Sequence, residues 1–133
     1  MRFISHSPEE TKKIAVQFVR ELSLGNVIGL KGDLGSGKTT FVQGMAQGLG
    51  IDDRHYVNSP TFTLVNVYGP LVHVDLYRIE SPIELASLGL EDYLGSHIVV
   101  IEWAEKFDQK TDREVFIRSA NPMKEGERQI EIV

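Results

Sequence analysis

Residues Val27 to Thr40 read "VIGLKGDLGSGKTT", a short apolar run that breaks into a glycine-rich loop and resumes as the start of a helix. Within it Gly32, Gly37, Lys38 and Thr39 stand at the spacing G-x-x-x-x-G-K-[ST]. The spacing has a mechanical meaning. Glycines let a loop turn successive backbone amides inward, and the helix N-terminus that follows adds partial positive charge where an anion would sit. A lysine in this position reaches the β and γ phosphates of a nucleotide, and the next hydroxyl can hold magnesium. Asp33, Leu34, Gly35 and Ser36 supply further loop amides, and Thr40 carries the cradle into the helix. A glycine turn before a helix can arise by chance. Here an apolar strand precedes it and an amphipathic helix follows, with Phe41, Met45 and Leu49 at spacing four and Gly50 as its stop. That is the context the motif requires.

Outward from the cradle, Ser7-Pro8-Glu9-Glu10 places a hydroxyl cap, a proline at the first helical position and a glutamate three residues after the cap. The spacing predicts a helix bearing Ile14, Phe18 and Leu22, with Ala15 and Val19 beside them, ending by Gly25. Downstream, "TFTLVNVY" and "LVHVDLYR" are β-rich runs separated by Gly69-Pro70 and predict a hairpin. Ser81-Pro82-Ile83-Glu84 repeats the capping pattern and predicts a short helix closed by Gly89. Ile98 to Ile101 is a run of branched aliphatics, the mark of a strand buried on both faces of a parallel sheet. "EVFIRS" and "RQIEIV" then alternate as two further strands, which read as edge strands. This order predicts an α/β chain with the three-layer P-loop NTPase fold, its central parallel sheet flanked by antiparallel edge strands.

The 133 residues are close to the modal size of one domain, so residues 1–133 are expected to share a single core. Hydrophobic residues at 41% and charged residues at 25% match globular rather than disordered chains. With 19 acidic against 14 basic residues and a formal charge of −5, no basic stripe offers itself to a polyanion, and strong direct nucleic-acid binding is not expected. The absence of cysteine excludes disulfides and thiolate chemistry. "MRFISHSPEE" lacks the apolar stretch of a secretory signal, and no run approaches the roughly 18 apolar residues of a membrane span. A soluble cytoplasmic protein, without a membrane partner, is the expectation.

A nucleotide with Mg²⁺ calls for a carboxylate at the end of a strand neighbouring the cradle. Glu102 directly follows the buried run Ile98 to Ile101, where open α/β sheets place their ligands. Asp75 lies inside "LVHVDLYR" and fits a solvent-facing hairpin position as well as a site. Ser59-Pro60-Thr61-Phe62 reads as a proline turn, or as a loop whose hydroxyls sense the γ-phosphate. His73 and His97 stand in or beside strands and His6 and His55 in loops; no two have metal-ligand spacing, so they read as structural or surface residues. Trp103, directly after Glu102, fits the core, a cover over the site or a partner contact.

A GTPase would need Asn-Lys-x-Asp and Asp-x-x-Gly, which "NPMK" and "DLYR" do not match. A small-molecule kinase would carry paired lid arginines, whereas Arg113, Arg118 and Arg128 are scattered through the two late strands. On the residues alone three readings stay open: an ATPase subunit, a small P-loop phosphotransferase, and a nucleotide-gated binding module without turnover.

"GDLGSGKTTF", "SPTFTLVNVY", "HVDLYR", "LGLEDYL" and "IEWAEK", in this order and across essentially the whole chain, resemble the bacterial TsaE (YjeE) family. These are the small P-loop ATPases of tRNA threonylcarbamoyladenosine synthesis. The resemblance implies ATP in the cradle, Mg²⁺ held by Thr39 and Glu102, and catalytic roles for Lys38, Asp75 and Glu102. It further implies that Ser59 and Thr61 belong to a segment over the γ-phosphate, and that Thr11 lies near the nucleotide. It implies TsaD and TsaB as partners, with turnover weak alone and stimulated by them, in modifying tRNAs that read codons beginning with A.

Overall fold

The computed structural model describes residues 1–33, 36–51, 64–119 and 126–133. Leu34, Gly35, Ser59 and Thr61 lie outside the described residues, as do Asp52, Asp53, His55, Asn121 and Pro122.

The glycine loop sits where the sequence predicts, between strand β2 (Val27–Gly32) and helix α2 (Lys38–Gly48). Its neighbours in the sheet are β5 (Ile98–Glu102) and β6 (Arg113–Ser119), both parallel to β2, and β4 (Leu71–Asp75) lies parallel on the far side of β5. Strand β3 (Val65–Tyr68) closes one edge as the antiparallel arm of the predicted Gly69-Pro70 hairpin. At the other side β7 (Arg128–Ile132) runs antiparallel to β6, and β1 (Arg2–Ser5) runs antiparallel to β7. The sheet order is therefore β1-β7-β6-β2-β5-β4-β3. The expected parallel centre and antiparallel flanks are both present. One assignment is corrected. The strands "EVFIRS" and "RQIEIV" are interior, because the unforeseen β1 takes the edge beyond them and the Met1 ammonium donates to the Ile132 carbonyl at 2.7 Å.

Helices cover both faces. On one, α1 (Pro8–Val19) and α2 pack through Ala15, Phe18, Val19, Phe41, Val42 and Met45 against Ile28, Leu30, Val100, Val115 and Ile117 of the sheet. On the other, α3 (Pro82–Ser87) and the two 3-10 turns Leu90–Asp92 and Ala104–Lys106 bring Leu85, Leu90 and Ala104 against Val72, Val74, Val99 and Ile101. Phe41 and Met45 are fully buried, each contributing about 1.5–3 kcal/mol by leaving water. They anchor the helix that carries the cradle.

Both predicted caps form. Ser7 Oγ accepts from the Glu10 amide at 3.1 Å, and Ser81 Oγ accepts from the Glu84 amide at 3.2 Å. The reciprocal arm at α1 is displaced by one residue: Glu10 Oε2 accepts from the amide of His6, not of Ser7, at 2.7 Å. Helix α1 also ends at Val19, short of Gly25.

Candidate nucleotide site

Chain order makes the position of the site intelligible. After β2 the chain builds β3, β4 and β5 on one side, then crosses to build β6 and β7 on the other. The carboxyl ends of the strands flanking such a crossing leave a crevice in which open α/β sheets bind ligands. Here those ends are Gly32 on β2, Asp75 on β4 and Glu102 on β5. A cleft of about 770 Å³ lies above them.

The cradle forms one wall. Gly37 precedes α2 with φ +106°, in the left-handed region, and a Cβ there would meet nothing within 4 Å. Its glycine is required by backbone conformation rather than by crowding. Lys38, Thr39 and Thr40 of the first turn line the cleft, together with Gly32 and the exposed Asp33. The N-terminus of α1 faces them with Ser7, Pro8 and Thr11. Thr11 is buried, its hydroxyl 2.7 Å from Ser5 Oγ. Two helix N-termini thus border one cleft and make its field favourable to an anion.

The carboxylates form the floor. Asp75 and Glu102 are register partners on adjacent parallel strands, and Glu102 also pairs with Leu30 of β2. Both are buried, with 5% and 4% of their surface exposed. The solvent-facing option for Asp75 falls, because β4 is an interior strand rather than the outer arm of a hairpin. Asp75 Oδ1 also accepts from the Tyr77 amide at 2.9 Å, which fixes the carboxylate at the strand end. Lys38 Nζ stands 3.1 Å from Glu102 Oε1, joining cradle to floor.

His73 holds the other oxygen of Glu102. It is fully buried, and its Nε2 lies 2.7 Å from Glu102 Oε2. His73 pairs in register with Val100, two residues before Glu102, so the contact is the diagonal one between neighbouring strands. Burial pushes the Glu102 carboxyl up, but the hydrogen bond and attraction of His73, joined by those of Lys38, outweigh it and hold the group below the usual carboxylate value. Glu102 is therefore ionised at neutral pH.

Two residues at the rim complete the site. Trp103 has φ 60° and ψ 45°, an uncommon conformation for a bulky residue, and it turns the chain sharply after Glu102. The residue is 41% exposed and lines the cleft, with its ring 5.4 Å from the ring of Tyr77. It is neither core nor remote from the site. Arg128, assigned above to scattered strand arginines, lines the cleft and donates from Nε to the Ser36 carbonyl at 2.8 Å. Antiparallel pairing of β7 with β6 brings its start back beside the glycine loop, which spacing along the chain could not reveal.

The donor set suits a phosphate-bound divalent ion better than a protein cage. Among the described residues no three His, Asp or Glu side chains converge as metal ligands, whereas one or two carboxylates and a hydroxyl beside an anion cradle are what Mg²⁺ uses when phosphates and water complete its shell. Ser36 Oγ is buried and has no hydrogen-bond partner among the described residues, a polar atom suited to a polar ligand. Among the described residues no helix is long and apolar enough to cross a membrane.

The family model "Threonylcarbamoyl adenosine biosynthesis protein TsaE" matches residues 5–130. The chain is 44% identical over 113 residues to the tRNA threonylcarbamoyladenosine biosynthesis protein TsaE of Bacillus subtilis, covering 81% of this chain and 69% of that protein. The protein of the same name from Treponema pallidum is 35% identical over 136 residues, covering 99% of each. Among solved structures, the crystal structure of Bacillus subtilis YdiB is similar with a TM-score of 0.77 and 34% identity, covering 98% of this chain and 82% of that one.

Proposed function

The chain belongs to the TsaE family of tRNA threonylcarbamoyladenosine biosynthesis, and from that premise we propose that it is the pathway's Mg²⁺-dependent ATPase, with a P-loop NTPase layout, working in the cytoplasm. The observation that carries the proposal is the 3.1 Å contact between Lys38 of the cradle and Glu102 of the floor. It puts an ammonium and a buried carboxylate at one point in the cleft, which supports a site for phosphate and its metal ion.

ATP is the substrate. Its phosphates would lie along the 32–39 loop, with Lys38 on the outer phosphates. An ammonium has three donors, so Lys38 can keep its bond to Glu102 and still meet phosphate oxygens. Thr39 and Glu102 would hold Mg²⁺, with Asp75 beside them, and the ion would supply charge neutralisation to the phosphates. Glu102, ionised and a weak base because its proton affinity is lowered, is suited to hold and orient a water rather than to take its proton early. Thr11 and Ser36 would contribute contacts on the cradle side, and Ser59 and Thr61 would belong to the segment over the γ-phosphate.

We further propose that TsaB and TsaD are the partners, that turnover alone is weak, and that the tRNAs served read codons beginning with A. The net charge of −5 supports a division in which a partner handles the nucleic acid. The test is ATP hydrolysis by the purified chain, alone and with TsaB and TsaD. Lys38→Ala should abolish it, and fast turnover indifferent to the partners would defeat the accessory role.

A further inference from the structure

His73 stands out because its position asks for an aliphatic. It is flanked on β4 by Val72 and Val74, shares its face with Leu71, and is fully buried. Its Nδ1 is buried and has no hydrogen-bond partner among the described residues. An imidazole in such surroundings is disfavoured unless its polar atoms are satisfied, and among the described residues the ring's hydrogen bond goes to Glu102 Oε2. An ionised carboxylate only accepts, so Nε2 carries the hydrogen.

The geometry of the two Glu102 oxygens shows what this bond does. A carboxylate free to rotate about its last bond can offer either oxygen, or both, to an ion or a water. With Oε2 committed to His73 and Oε1 3.1 Å from Lys38 Nζ, the plane of the group is fixed and a single oxygen faces the cradle. We propose that His73 is a positioning residue for the cleft: its Nε2–H claims Glu102 Oε2, so that only Oε1 is presented to the phosphate end of the site. The assignment rests on the ATPase reading for its consequence in turnover, but the bond itself does not. Partners of this kind, one bond behind a functional carboxylate, are typically worth about 10–100-fold in activity or metal affinity.

The experiment pairs His73→Leu, which keeps bulk and removes the donor, with His73→Gln, whose amide places an N–H near the Nε2 position. Histidine-labelled NMR of the nucleotide-free protein reads the bond first: a slowly exchanging proton on His73 Nε2 is expected, shifted or lost in Glu102→Ala. Turnover and Mg²⁺-dependent binding of a non-hydrolysable ATP analogue are measured next. His73→Leu should lower kcat, and the Mg²⁺ affinity read through analogue binding, by about 10–100-fold, with a much smaller change in KM for ATP at saturating Mg²⁺. His73→Gln should recover most of the loss, and the effect of His73→Leu on Mg²⁺ affinity should vanish in a Glu102→Ala background. A His73 proton on Nδ1 instead, a resonance indifferent to Glu102→Ala, or a His73→Leu effect undiminished in the Glu102→Ala background would overturn the proposal. If the wild-type chain hydrolyses no ATP with or without partners, the ATPase reading falls. The NMR and binding cycle then decide the role of His73 by the same criteria.

Discussion

Gly44 lies where α2 packs directly against the backbone of α1, and Gly44→Ala tests whether the spacing of these helices is rigid. A Cβ at this position would stand 2.7 Å from Ala15 Cβ and 2.7 Å from both Lys12 Cα and the Lys12 carbonyl oxygen. Carbon contacts are comfortable at about 3.5–4.0 Å, so the helices would have to part by roughly 1 Å. Two effects oppose each other. Alanine in a helix interior is favoured over glycine by about 1 kcal/mol. Overpacking costs about 1–3 kcal/mol, and the upper end applies here because two of the three contacts are backbone atoms that no rotamer change can move. The net expectation is a destabilisation of about 2 kcal/mol, or about 8 °C in Tm for a chain of this length. Thermal and urea unfolding measure it, with an unchanged m-value showing that compactness is not at issue. Gln47→Ala, exposed on the same helix, is the control and should stay within about 0.5 kcal/mol of wild type. Because α1 carries Thr11 and α2 carries Lys38 and Thr39, the same displacement should also weaken nucleotide binding. A Gly44→Ala protein that melts at or above the wild-type temperature would show that the helices slide freely and that Gly44 does not set their spacing.

Two further outcomes are expected. The Glu102 carboxyl is held below its usual value in the folded chain, so its contribution to stability is present above the unfolded value of about 4.3 and is lost as pH falls through the lower folded value. The Tm difference between wild type and Glu102→Gln should accordingly persist from pH 7 to about 5 and shrink below about 4; a difference that grows with acidity would contradict the sign. Arg128→Ala removes the bond to the Ser36 carbonyl, a charge-assisted bond at a half-buried site worth about 1 kcal/mol. Nucleotide affinity, read by calorimetry, should fall about fivefold, and no change would remove Arg128 from the site.

The parts of the fold legible in the sequence were those written in local chemistry. The glycine spacing before Lys38, the hydroxyl caps at Ser7 and Ser81, the Gly69-Pro70 turn and the aliphatic run at Ile98 each determine their own neighbourhood, and each appears where expected. What was missed depends on pairing between distant strands. Arg2–Ser5 is too short to announce a strand and becomes one only beside β7. Asp75 looked as fit for solvent as for a site until β4 lay between β3 and β5. His73 carries no spacing signal toward Glu102, 29 residues away, because the register of two parallel strands makes that contact. Arg128 reaches the loop only through the antiparallel return of β7. Gly44 carries no signal in the sequence that sets it apart from any helical glycine, although its missing Cβ permits α1 and α2 to meet.

The proposed function stands on ATP being cleaved in the cleft where Lys38 meets Glu102. Single-turnover hydrolysis of γ-labelled ATP, with the chain assembled with TsaB and TsaD, tests it most directly, comparing wild type with Glu102→Ala. Phosphate release is expected from the wild-type assembly, and bound but uncleaved ATP from the Glu102→Ala assembly. ATP that stays intact while the wild-type assembly continues to modify tRNA, or cleavage indifferent to Glu102→Ala, would contradict it.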